Sequence, residues 1–117
     1  MRLPNVERAE IAPSKLTGYL LSLEHRFGRA KAVFFLARGF SPGQPDVLAE
    51  ALREHAIRND VVAAQRTAFG TRYRVEGPLV SPDHTAPGVR SVWFIGTGDV
   101  RPRFVTAYPL KAGRKSP

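Results

Sequence analysis

At 117 residues with 43% hydrophobic side chains, the chain is the size of one domain and apolar enough to bury a core. It has no cysteine, which excludes disulfides, thiolate metal sites and a thiol nucleophile. The net charge of +8 favours a polyanionic partner, and it is unevenly spread: residues 1–60 hold nine basic and seven acidic side chains, whereas residues 61–117 hold nine basic against Glu76, Asp83 and Asp99 alone.

Met1 to Arg8 has no apolar leader core, and no run approaches the roughly 18 apolar residues of a spanning helix, so a cytoplasmic chain without membrane contact is expected. Residues 1–12 read as an ordered arm. Pro13-Ser14 starts a short first helix with Ser14 as N-cap and Leu16, Tyr19, Leu20 and Leu23 at helical spacing. A second, well-buried helix is expected from near Gly28 to Gly39, a left-handed C-cap position. His25 and Lys31 then flank its N-terminus, where unpaired N–H groups and the helix dipole favour an anion. Pro45 opens a third helix to about Ile57, with Leu48, Leu52 and His55 on one face and Glu54 poised to pair with Arg58.

Val61 to Ala68 is ambiguous between strand and other structure. Thr71 to Val80 alternates as a strand, with Tyr73 and Val75 opposite Arg72, Arg74 and Glu76, and Gly77-Pro78 either ends it or makes an edge bulge. After the loop Ser81–Gly88, Arg90 to Tyr108 reads as a hairpin of Val, Ile, Phe, Trp and Thr runs around Gly96, Gly98 and Asp99. Strict alternation on its second strand puts Phe104, Thr106 and Tyr108 on one face; which face is covered is not decided by the pattern. The expectation is an α+β domain over residues 1–110, about three N-terminal helices packed on an antiparallel meander of three to four strands, with a basic, disordered tail at 111–117.

Three isolated histidines, His25, His55 and His84, have no metal-ligand spacing, and there is no phosphate-binding glycine loop or nucleophile elbow, so no metal and no cofactor is expected. A set able to act without one remains: His25, Lys31, Thr106 and Tyr108, with Arg72, Arg74, Arg90, Arg101 and Arg103. Metal-independent RNA cleavage needs a base for the 2′-hydroxyl, an acid for the departing 5′-oxygen and cations around the phosphorane; histidine suits the proton roles and Lys or Arg the charge. Each residue also has a structural reading. His25 shapes a loop, His55 packs beside Leu52, Trp93 and Tyr73 fill the core, Thr106 is a strand former and the arginines are a solvated face.

Glu24-His-Arg-Phe-Gly-Arg-Ala-Lys-Ala-Val-Phe-Phe35, Gly70-Thr-Arg-Tyr73, Val92-Trp93 and Arg103-Phe-Val-Thr-Ala-Tyr-Pro109 resemble an uncharacterised bacterial family whose members occur alone and as C-terminal domains of polymorphic toxins. Through it the chain resembles the barnase, EndoU, colicin and RelE group of metal-independent ribonucleases, in which N-terminal helices pack on an antiparallel sheet. The resemblance implies His25 as general acid/base, Lys31 as the phosphorane's cation and Thr106 with Tyr108 as positioning groups. It further implies a toxin cutting tRNA or mRNA and an acidic immunity or antitoxin protein as partner. A position commonly proline in the family is Arg26 here. The reading from another class is a non-catalytic module that binds RNA or protein through the same arginines.

Overall fold

The computed structural model describes residues 1–26 and 28–110; the tail expected at 111–117 lies outside the described residues. Helices precede strands, and the strands form one antiparallel meander in the order β1-β2-β3-β4, an α+β architecture.

The expected first helix is shorter than its apolar spacing suggested. Pro13–Lys15 (α1) is a single turn, and Ala12 rather than Ser14 occupies its N-cap, because Pro13 sits at the first helical position and leaves Ser14 inside. The chain then opens into a π-helical turn, Leu16–Leu20, closed by Leu21 N–H donating to Leu16 C=O at 2.8 Å. The wide turn lets Leu16, Leu20 and Leu21 all enter the core while Tyr19 stays at its rim.

Arg29–Ala37 (α2) ends as the glycine signal predicts. Gly39 adopts φ 100°, its N–H donates to Leu36 C=O, Phe40 N–H donates to Phe35 C=O, and the Phe35 and Phe40 rings meet at 6.0 Å. This is a Schellman closure with its apolar contact. Pro45–Arg58 (α3) begins at proline, buries Leu48, Leu52 and His55, and carries the Glu54–Arg58 pair at 3.0 Å on its outer side.

The ambiguous stretch is strand β1, Val61–Thr67; β2 is Gly70–Pro78, β3 Gly88–Gly96 and β4 Arg103–Pro109. Gly77-Pro78 ends its strand. The N-terminal arm ties both sheet edges: Val61 N–H donates to Met1 C=O, and Glu10 bridges β4 in parallel through Pro102 and Phe104.

The strict alternation expected on β4 is broken. Val92 pairs with Thr106 but Trp93 pairs with Phe104, so Val105 is an extra residue and β4 bulges there. The bulge shifts the phase by one. Phe104 and Ala107 therefore share the helix-covered face with Trp93, Ser91, Val75 and Tyr73, whereas Thr106 and Tyr108 turn to the opposite, open face.

On the covered face, His55 is 2% exposed yet fully partnered. Its Nε2 lies 2.9 Å from Val89 C=O and 3.1 Å from Gly77 C=O, so Nε2 carries the proton; Nδ1 accepts from Ser91 Oγ at 3.0 Å, which in turn accepts from Trp93 Nε1–H at 2.9 Å. Burial, only partly offset by the two carbonyls, holds its pKa below the usual histidine value. The network latches α3 to β2 and β3. Among the described residues, no helix is long and apolar enough to cross a membrane.

Candidate active site and nucleic-acid interface

Three rows of paired residues make up the open face. Arg72, Phe94 and Arg103 lie side by side across β2, β3 and β4; Arg74, Val92 and Thr106 form the next row; Glu76, Arg90 and Tyr108 form the third. The strand-borne cations expected from the sequence thus share one surface, with Glu76 the one acid in those rows. Arg90 is clamped between Glu76 and the Tyr108 hydroxyl, to which its Nη1 donates at 3.2 Å. The Tyr108 bond, offset by burial and aided by Glu76, keeps its guanidinium even more firmly protonated than usual. Arg101 does not join the rows: it lies in the β3–β4 loop, where Glu10 takes its Nη1 at 2.7 Å and Asp99 stands 3.7 Å from its Nε.

At the β4 end of this face the chain brings together residues far apart in sequence. Lys31 is four residues before buried Phe35 on α2, so it projects from the helix side that packs toward β4. Its Nζ donates to the Tyr19 hydroxyl at 2.7 Å, which lies 3.1 Å from Thr106 Oγ1. The same ammonium stands 5.2 Å from the Tyr19 ring centre and 5.8 Å from that of Tyr108. A cation in the first turn of a helix opposes the dipole, and these contacts supply the compensation.

His25 closes the cluster from the loop before α2. Its ring meets Tyr19 edge-on at 4.8 Å, and its Nδ1 accepts Gly28 N–H at 3.0 Å. That bond assigns the neutral ring's proton to Nε2. His25, Lys31 and Thr106 thus all meet one residue, Tyr19, which the sequence placed only on an apolar helix face, and Tyr108 joins them through the Lys31 ammonium. Burial pushes the Tyr19 phenol up, but hydrogen bonds from Lys31 and Thr106, with the charges of Lys31 and Lys15, outweigh it and draw its pKa below the ordinary tyrosine value. A π turn has no sequence period of its own, so the helical spacing of Leu16, Tyr19, Leu20 and Leu23 pointed to an apolar helix face instead.

The spacing of His25, Gly28 and Lys31 has a steric basis at its middle position. A Cβ on Gly28 would lie 2.7 Å from Tyr19 Cδ1 and 2.8 Å from the Tyr19 carbonyl oxygen. Gly28→Ala is expected to push Tyr19 off Thr106 and cost about 1–3 kcal/mol by overpacking, read as a lower urea midpoint at unchanged m-value. His84, at φ 70° in an exposed loop, lies outside the cluster, and His55 is on the other face. Among the described residues no group of three or more acidic or histidine side chains is placed to hold a metal.

The model of the domain of unknown function DUF6883 matches residues 2–111. The chain belongs to this family. No curated protein sequence matches the chain. Among solved structures, a chain of the contact-dependent growth inhibition toxin–immunity protein complex from Klebsiella pneumoniae 342 superposes with a TM-score of 0.67 at 20% identity, covering 92% of this DUF6883 chain and 97% of that one. At that identity the likeness speaks for a shared fold alone.

Proposed function

We propose that this DUF6883 domain is a metal-independent endoribonuclease of the toxin type, acting in the cytoplasm on tRNA or mRNA and held in check by an acidic immunity or antitoxin protein. The observation that carries the reading is the Lys31 ammonium bonded to a Tyr19 hydroxyl that also meets Thr106, and near the Tyr108 ring, at the end of an open, cation-lined sheet face. A toxin–immunity complex among the structural neighbours supports the biological setting.

In the proposed reaction the 2′-hydroxyl attacks the adjacent phosphate and the 5′-oxygen departs, leaving a cyclic phosphate. The phenolate form of Tyr19 accepts the 2′-hydroxyl proton, and the imidazolium form of His25, whose protonated Nδ1 gives up the Gly28 N–H, is the general acid that donates from Nε2 to the leaving oxygen and is left as the neutral ring. Lys31 stabilises the charge on the phosphorane, Thr106 and Tyr108 position the ribose and phosphate, and Arg72, Arg74, Arg90 and Arg103 bind the flanking backbone. Arg101, engaged by Glu10, has a lesser share.

The test is purified protein with total RNA in EDTA. Wild type should cleave, and His25→Ala should lose about 10²- to 10⁴-fold of that rate while keeping RNA binding. Salt-sensitive binding without cleavage by the wild type would instead establish a binding module in which His25 merely shapes its loop.

A further inference from the structure

The sheet places two aromatic residues next to each other in β3 with opposite fates. Trp93 is wholly buried against Phe104, with ring centres 5.3 Å apart. Phe94 points the other way, onto the open face, where it is only partly covered and adds nothing to the core cluster. Its ring leans over Gly70, where a Cβ would stand 2.7 Å from Phe94 Cζ, so the glycine makes room for the ring and fixes where it lies. On its two sides, in register, stand the exposed Arg72 and Arg103. The row lies two residues along β3 from the Val92–Thr106 row, roughly 6.8 Å away.

A partly exposed planar apolar ring, flanked in register by two exposed cations, suits a ligand that is flat and apolar in one part and anionic on both sides of it. A nucleobase with its neighbouring phosphates has that form, provided the base is not already stacked in a duplex. We infer that Phe94, with Arg72 and Arg103, forms a base-stacking subsite for a nucleotide of single-stranded nucleic acid, next to the Tyr19–Lys31–Thr106 cluster. The inference rests on the ribonuclease reading for its ligand and adds a preference for unpaired RNA.

The probes are a 2′-O-methyl oligoadenylate, which lacks the attacking hydroxyl and stays intact, and an abasic oligomer of equal length and charge. Fluorescence anisotropy at fixed salt gives the affinity of each. The wild type should bind the base-bearing strand at least about fivefold more tightly than the abasic one. Phe94→Leu, which keeps an apolar cover over Gly70, should bring the two affinities together without changing the abasic value, and Phe94→Trp should restore the difference. Equal loss for both strands in Phe94→Leu, or no loss for either, overturns the subsite. If the wild type cleaves RNA and Phe94→Leu discriminates as well as it does, the subsite alone falls. If the wild type neither binds nor cleaves, the ribonuclease reading falls with it.

Discussion

Lys31→Met is expected to lower RNA cleavage by about 10²- to 10³-fold at neutral pH, the usual cost of removing one preorganised group from a developing oxyanion. A second effect should appear in the pH profile, and its sign follows from the phenol. Lys31 helps hold the Tyr19 pKa below the ordinary tyrosine value, so removing it raises that pKa. A rate that rises with pH as Tyr19 loses its proton must then rise at higher pH in Lys31→Met than in the wild type. Tyr19→Phe, with no proton to lose, should abolish this rise altogether while leaving the fold intact. An unchanged rate in Lys31→Met, or an alkaline rise that survives in Tyr19→Phe, would remove the pair from the mechanism. Steady-state cleavage of a short RNA across the pH range is the measurement.

His55→Ala should cost about 3–4 kcal/mol of stability, more than the lost ring volume alone, because it leaves Ser91 Oγ and the Val89 carbonyl buried without their partner. Chemical denaturation reads it directly. The wild type should also weaken in acid. The unfolded imidazole takes up a proton near pH 6.5, whereas the folded one, with its lowered pKa, resists it. The stability this group contributes is therefore complete above about pH 6.5 and declines as pH falls toward the folded value. The melting temperature should drop between pH 7.5 and 5, and His55→Gln, which cannot titrate, should show a smaller drop.

The architecture was legible wherever a residue's neighbours in sequence are also its neighbours in space. Gly39 announced a left-handed helix end, Pro45 a helix start, and the alternation of Arg72 to Glu76 a strand with cations on one side. Three features depended on context that spacing does not carry. Ser14 looks like a cap but follows a proline that has already begun the turn. The bulge at Val105 breaks a period of two, so Phe104 belongs with the core and not with Thr106. Tyr19 was hidden because a π turn, not an α-helix, sets its direction. The cluster's outer members could be named from residue chemistry; its centre required the fold.

The bond between Tyr19 and Thr106 joins residues 87 positions apart, and the strand that supplies Thr106 is also the one that Glu10 secures at the sheet edge. During synthesis, a chain whose β4 is still inside the ribosome already displays His25 and Lys31 but has no sheet edge on which to align them. Domains are completed only when their last long-range pairing becomes available. A nascent copy therefore lacks the Tyr19–Thr106 bond until β4 has emerged, so the proposed site is among the last parts of the domain to be assembled.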